Sequence, residues 1–219
     1  MADHQDVLIV GGGILGCATA YFLAKEGIRS TILERESVAS CASGFAAGLL
    51  NPLHGAGIPG PLEPFAWESF RLHLDIIDQL TEESGVDPHF APYPCMWAIF
   101  DESEEEVCGE LHQRANRFPE FPAHWMDSAE VRSVEPRISG GVGKGMYLEG
   151  IRQVEPYQYT LALAQAAESQ GAVIRHGTVR SIKHSGNRVT GVATETGEID
   201  CDTLVLAMGP WTSQAGEWL

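Results

Sequence analysis

The first fifty residues alternate short apolar runs with glycine and polar turns, in an order typical of a βαβ unit. Val7–Val10 is uniformly apolar and runs into three glycines, which predicts a strand buried on both faces of a parallel sheet. Ile14–Glu26 has a helical pattern, and Gly27 follows as a stop signal. Ser30–Leu33 then predicts a second strand, which ends at Glu34.

The middle of the chain has a weaker pattern. Residues 35–63 are rich in Ser, Ala, Gly and Pro and predict one long irregular connection, a feature that is usually functional inside a compact protein. Pro64–Ser84 predicts an amphipathic helix that Gly85 ends, and Met96–Phe100 predicts a strand. We further expect a helix capped by Asp101 or Ser103, a short helix from Ser128, and a glycine-rich turn over 140–145.

The last third returns to alternating helix and strand signals. Pro156–Gln170 predicts a helix with proline at its start and Gly171 at its stop. Together with the opening βαβ unit, this order indicates an α/β fold with a parallel sheet. Turns at 185–187 and 196–198 separate some of the strands that follow, and those strands are Ala172–His176, Val179–Lys183, Val189–Glu195 and Thr203–Ala207, with a helix opening at Pro210.

The glycine turn indicates dinucleotide binding. Gly11, Gly13 and Gly16 satisfy G-x-G-x-x-G, with Ile14 and Leu15 inside the motif. The spacing allows a tight turn, a close backbone approach to a pyrophosphate and close packing of the helix on the sheet. Glu34 ends the second strand, where a carboxylate accepts hydrogen bonds from ribose hydroxyls. The alternative is a tight turn that binds no ligand.

The motif alone does not separate NAD from FAD. Arg35, next to Glu34, is common in FAD proteins and is also compatible with a 2′-phosphate. The choice between the two cofactors therefore depends on the rest of the chain.

Charge and composition exclude several classes of function. The net charge of −16 disfavours binding to nucleic acid or to anionic lipid. Five cysteines form no CxxC pair, and eight histidines show no metal-ligand spacing, so we predict neither disulfides nor a metal site. No apolar run approaches the roughly 20 residues of a membrane span, and no signal peptide is recognisable. These features predict a cytoplasmic protein.

Four segments together resemble the D-amino-acid-oxidase-like superfamily of FAD-dependent oxidoreductases, and within it the glycine oxidase family. Two are the βαβ unit over 6–36 and the small-residue loop Ala42–Leu50. The others are 154–171, followed by Val179, and the strand-and-turn segment Leu204–Trp211. They span nearly the whole chain and are more specific than the glycine turn.

The resemblance implies FAD as the cofactor and assigns residues to it. Val179 would hold the adenine through its backbone, and the loop would run along the pyrophosphate and flavin. For Ser43, a local turn role is as plausible as a pyrophosphate contact. The implied cofactor-binding residues are Gly11, Gly13, Ile14, Leu15, Gly16, Glu34, Arg35, Ala42, Ser43, Ala47, Gly48, Leu49, Val179, Ala207, Gly209 and Trp211.

The resemblance also implies a domain organisation. A discontinuous Rossmann-like FAD-binding domain would comprise residues 1–84 and 151–219, and 85–150 would form part of a mixed-sheet substrate domain. Members of the superfamily continue well beyond the position of Leu219 and carry there the arginine that pairs with a substrate carboxylate. We therefore expect a fragment, a truncated product or half of a split protein, and we assign no catalytic residue. Apolar surface left uncovered makes a homo-oligomer one expected outcome.

The implied activity is oxidative deamination of a small amine or amino acid, such as glycine, sarcosine or a D-amino acid. The substrate would lose hydride to the flavin, and oxygen or another acceptor would reoxidise it. One alternative is a dehydrogenase of a hydroxy acid or proline-like substrate that passes electrons to a quinone. The other is a non-catalytic FAD-binding fragment.

Overall fold

The computed structural model describes residues 3–218, and they form two compact units. The first unit comprises 3–47, 77–89 and 155–218, and the second comprises 48–76 and 90–154. In chain order the elements are β1 (Asp3–Val10), α1 (Ile14–Lys25), β2 (Ser30–Glu34), β3 (Leu49–Leu50), α2 (Glu63–Ser84), β4 (Ala91–Pro92), β5 (Cys95–Ile99), α3 (Glu102–Ala115), β6 (Ala123–Asp127), α4 (Ser128–Val134), β7 (Lys144–Leu148), β8 (Arg152–Gln153), α5 (Pro156–Ser169), β9 (Val173–His176), β10 (Val179–Ser185), β11 (Arg188–Thr194), β12 (Gly197–Leu206) and a 3-10 helix (Gly209–Glu217).

The first unit is built on a six-stranded sheet of order β10-β11-β12-β1-β2-β9. Strands β12, β1, β2 and β9 run parallel, whereas β10 and β11 add an antiparallel pair. The predicted α/β fold with parallel strands is confirmed, and the antiparallel pair makes this sheet mixed. Because β2 and β12 pair with opposite sides of β1, their carboxyl ends leave a crevice beside the end of β1.

The core of this unit follows from the apolar run in β1. Leu8 and Ile9 are fully buried, as expected for a central parallel strand with both faces covered. Helices α1 and α5 pack on each other, and both carry small buried residues, among them Cys17, Ala20 and Ala166. Small side chains let the two helices approach closely and lie flat on the sheet.

The second unit has its own core and two short three-stranded sheets, ordered β3-β8-β4 and β5-β7-β6. Leu53, Trp67 and Phe70 belong to this core, and the ring centroids of Trp67 and Phe121 lie 5.4 Å apart. Strand β3 also pairs with β8. Residues 48–76 therefore pack with the second unit, whereas the expected boundaries placed them with the cofactor domain.

Several local predictions differ from the structure. The turn predicted over 140–145 is found at 140–141, whereas residues 144–148 form β7. A Cβ on Gly145 would lie 2.7 Å from Val131 Cγ2. That glycine serves close packing rather than a turn. Strand β12 begins at Gly197 inside the turn predicted over 196–198, and the terminal segment is a 3-10 helix. Among residues 3–218, no helix is both long and apolar enough to cross a membrane.

Candidate functional site

A cavity of about 560 Å³ opens at the carboxyl ends of the parallel strands in the first unit. Its walls come from the glycine turn after β1, the end of β2, and the loop over 37–46. The start of β10 and the segment from Ala207 to Trp218 complete it. This is the edge of an open α/β sheet at which ligands bind, because the strand ends diverge there and the helix amides point outward.

The backbone builds the floor of this cavity. Gly11 has φ of +111°, and a Cβ on it would lie 2.4 Å from the Ala207 carbonyl oxygen. A Cβ on Gly16 would lie 1.9 Å from the Gly11 carbonyl oxygen. Helix α1 can therefore lie this close to the turn only because residue 16 has no side chain. The turn is held by the Gly11 N–H, which donates to Leu33 O at 3.0 Å, and by the Ala207 N–H, which donates to Val10 O at 2.9 Å.

Glu34 closes the cavity at the end of β2. Its Oε2 accepts from the Gly12 N–H at 2.6 Å, and its Oε1 accepts from the Glu36 N–H at 2.9 Å. A carboxylate that accepts backbone N–H groups has a fixed orientation. The remaining lone pairs of this half-buried group can accept from the hydroxyls of a ligand.

Ser43 crosses from the loop to the start of helix α1. Its hydroxyl oxygen accepts from the Ile14 N–H at 2.9 Å, one of the amide groups that the first turn of a helix leaves without a partner. Gly13 makes room for this contact, since a Cβ there would lie 3.0 Å from Ser43 Oγ. The serine therefore bonds backbone 29 residues away rather than backbone of its own turn.

Two arginines line the cavity, although the chain as a whole carries a negative net charge. The Arg35 guanidinium lies over the Trp211 indole, 4.5 Å from the ring centroid, and Arg180 forms an ion pair with Glu195. Glu34, Arg35 and Arg180 are the charged residues that line the cavity within the described chain. In a chain of net charge −16, this lining and the N-terminus of α1 make the cavity suited to an anionic ligand.

Burial also determines the chemistry of Cys17, just behind the turn. Its thiol donates to Gly12 O at 3.5 Å. Burial, with smaller contributions from the negative charges of Glu34 and Glu168, raises the pKa of Cys17 to about 12. This thiol is therefore protonated at neutral pH and is a packing group rather than a nucleophile.

The structure brings most of the predicted site residues together. Gly16 lies behind the turn, Ala47 is not among the described residues that line the cavity, and Gly48 and Leu49 belong to the second unit. The predicted residues that do line it are Gly11, Gly13, Ile14, Leu15, Glu34, Arg35, Ala42, Ser43, Val179, Ala207, Gly209 and Trp211.

Some lining residues were not predicted, among them Ser37, Cys41, Gly177, Arg180, Gln214 and Trp218. Gly177 and Arg180 lie within two residues of the predicted Val179, just after the carboxyl end of β9. Because ligands bind at the carboxyl ends of parallel strands, this position in the sequence could have identified them. Gln214 and Trp218 follow Trp211 in the 3-10 helix and its end. Nothing in their local sequence pattern distinguished them from surface residues.

One exposed cluster lies elsewhere in the first unit. Side-chain ligand atoms of His4, Asp6 and Asp202 lie within 4.8 Å of one another. His4 Nε2 already pairs with Asp202 Oδ2 at 3.3 Å, and all three residues are exposed. We assign no ion to this cluster, and the absence of a metal site stays a prediction.

Residues 6–218 match the family described as FAD dependent oxidoreductase (DAO). The chain is 30% identical over 219 residues to a glycine oxidase of Geobacillus kaustophilus, covering 99% of this chain and 57% of that protein. It is 29% identical over 211 residues to a bifunctional protein ThiO/ThiG of a Nostoc species, covering 96% and 32%.

The fold agrees with these relatives. A crystal structure of glycine oxidase from Bacillus cereus matches with a TM-score of 0.86 at 30% identity, covering 98% of this chain and 58% of that one. The chain thus spans less than three fifths of the length of the glycine oxidases it matches. On the family match over 6–218, the chain belongs to the FAD dependent oxidoreductase family.

Proposed function

We propose that this chain forms the FAD-binding part of an enzyme that oxidises a small amine or amino acid. The observation that carries the proposal is the cavity at the strand ends, whose floor is glycine backbone packed too closely against Ala207 and Ser43 to admit side chains. A flat dinucleotide with a pyrophosphate needs this type of floor. The family is FAD-dependent, and the residues present fit that cofactor.

Individual residues have distinct roles in this proposal. The backbone N–H group of Gly13, at the N-terminus of α1, would receive the pyrophosphate, with Ser43 beside it, whose hydroxyl oxygen accepts from the Ile14 N–H. The Glu34 carboxylate would accept from the ribose hydroxyls of the adenosine, and the Val179 backbone would hold the adenine. When bound, the flavin would supply the acceptor for two electrons from the substrate.

The substrate class is proposed from the relatives. Glycine oxidases from several bacteria match nearly the whole chain at 27–30% identity, and these relatives are named for the oxidation of an amino acid, glycine. Because this chain spans less than three fifths of their length, the activity of the whole protein stays a proposal. The domain roles, the bound acceptor, the oligomeric state and the cytoplasmic location are likewise predictions.

The test is flavin reduction under anaerobic conditions. The protein extended to the natural stop codon of its gene is purified and saturated with FAD. The visible flavin absorbance is then followed with glycine, sarcosine and D-alanine, and with lactate as the hydroxy-acid control. We expect at least one amine to bleach the flavin and lactate to leave it oxidised. Bleaching by lactate alone, or no bleaching by any amine although FAD is bound, would contradict the proposal. Oxygen and a soluble quinone, added afterwards, would identify the acceptor.

A further inference from the structure

In the Arg35–Trp211 stack, two long side chains from opposite sides of β1 contact each other and form one wall of the cavity. Arg35 follows the end of β2, and Trp211 follows the end of β12. Their guanidinium and indole groups approach to 4.5 Å between Arg35 Cζ and the ring centroid. Both residues line the cavity, and Arg35 directly follows Glu34. The pair therefore forms the wall beside the carboxylate that we assign to the ribose.

The backbone fixes Trp211 in this place. Gly209 has φ of +56° and turns the chain sharply after β12. The Trp211 N–H donates to Met208 O at 3.2 Å as the 3-10 helix begins. At the far end of that helix, the Trp218 carbonyl oxygen lies 3.0 Å from His184 Nε2 on strand β10. The indole is thus carried by a segment held at both ends.

Arg35 has no comparably firm support. Its side chain is 40% exposed, and its Nε lies 3.7 Å from Glu36 Oε1 at the surface, a separation at which an ion pair orders a side chain poorly. The neighbouring Glu34 carboxylate accepts from the Gly12 and Glu36 N–H groups rather than from Arg35. A long arginine loses much rotamer freedom when it is fixed, so the indole is the group that orders it.

From this asymmetry we infer that Trp211 is a positioning residue for Arg35. The indole holds the guanidinium plane as a preorganised wall, and the adenosine end of the cofactor packs against that wall next to Glu34. The ligand class is an adenine nucleotide. Its binding is stronger because Arg35 is already ordered before the ligand binds, so that the entropic cost of fixing this side chain is not incurred on binding. This inference rests on the proposed function, since it assumes that FAD occupies the cavity.

The experiment measures dissociation constants for FAD and for ADP by titration calorimetry. ADP reports on the adenosine end without the flavin. The variants are Trp211→Leu, Trp211→Phe, Arg35→Ala and the double variant. Lys144→Ala is the matched control, because it removes a cation–π pair in the second unit, where Lys144 lies 5.1 Å from the centre of the Trp125 ring.

We expect Trp211→Leu and Arg35→Ala each to weaken ADP and FAD binding about five- to tenfold. The double variant should be no weaker than the weaker single variant, because both changes remove one shared wall. Trp211→Phe keeps a ring face and should stay within about threefold of the wild type. The control should bind like the wild type. A role for Trp211 in stability alone would lower the unfolding midpoint without this non-additive pattern.

Two results separate the inference from the function on which it rests. If the wild type binds FAD and the two single losses multiply in the double variant, or neither single variant weakens ADP binding, the inference is overturned and the proposed function stands. If the wild type binds neither FAD nor ADP, both fall. Should Trp211→Leu fail to fold, Arg35→Ala at its exposed position decides, since less than a threefold loss of ADP affinity there would contradict the inference.

Discussion

The cavity has two kinds of wall, and they respond differently to change. The floor is backbone, set by Gly11 and supported from behind by Gly16, where an added Cβ would meet backbone oxygens at 2.4 Å and 1.9 Å respectively. The upper walls are side chains, set by Glu34, Ser43, Arg35 and Trp211. A change in the floor must move the main chain of the fold, whereas a change in the walls removes one contact. The comparison predicts loss of the fold in the first case and graded losses of affinity in the second.

The largest effect is expected from Gly16→Ala. A Cβ at 1.9 Å from the Gly11 carbonyl cannot be accommodated without shifting α1 from the sheet, so the free energy of unfolding should fall by about 3 kcal/mol or more. FAD binding should be lost with it. Chemical denaturation and FAD titration measure the two effects.

Gly109→Ala is the matched control, since Gly109 also lies in a helix, α3, but has nothing within 4 Å of an added Cβ. The same substitution should stabilise the protein there by about 1 kcal/mol. If both variants shifted stability in the same direction, the distinction between floor and surface glycines would be wrong.

Glu34→Ala should weaken FAD binding without unfolding the protein. The carboxylate accepts two backbone N–H groups and would accept from the ribose as well. Losing a charge-assisted hydrogen bond costs about 1.5–3 kcal/mol, or roughly ten- to one-hundredfold in affinity. Titration with FAD measures this, with the exposed Glu149 of the second unit changed to alanine as the control. Equal affinity in the two variants would remove Glu34 from the site.

Sequence patterns predicted the floor far better than the walls. The buried run of β1 and the glycine spacing identified the turn, since each glycine there is required by an approach too close for a side chain. Trp211 was implied only by family resemblance, and its contact with Arg35 joins residues 176 positions apart, which no local pattern encodes. In the second unit, Gly145 was assigned to a turn because glycine is typical of turns. Its place in a strand follows from close packing against Val131, and the local sequence carries no sign of that contact.

Because the Cys17 thiol is buried behind the glycine turn, we expect the free energy of unfolding to depend on pH. The pKa of Cys17 is about 12 in the folded state against 9.0 for an ordinary cysteine. A raised pKa stabilises the fold fully below pH 9, and this stabilisation is lost as the pH rises from 9 towards 12. Between pH 8 and 10 the wild type should therefore lose about 1.4 kcal/mol more stability than Cys17→Ala. Denaturation at both pH values measures it, with Cys41→Ala as the control that keeps the wild-type loss. Identical losses in wild type and Cys17→Ala would place this thiol in solvent.

Ser43→Ala should give the smallest change. It removes the acceptor for the Ile14 N–H at the start of α1 and should cost about 1 kcal/mol of stability, the usual size of a helix-cap loss. Denaturation measures the change, and the exposed Ser185→Ala provides the baseline. A loss as large as that from Gly16→Ala would show that this side-chain wall is as rigid as the backbone floor.

The central claim is that this cavity binds FAD, and the identity of the released nucleotide tests it most directly. The protein is saturated with an equimolar mixture of FAD, NAD and NADP, freed of excess ligand, boiled, and its supernatant separated by chromatography. The account predicts FAD as the retained nucleotide. Retention of NAD or NADP in place of FAD would contradict it, whatever the behaviour of the variants.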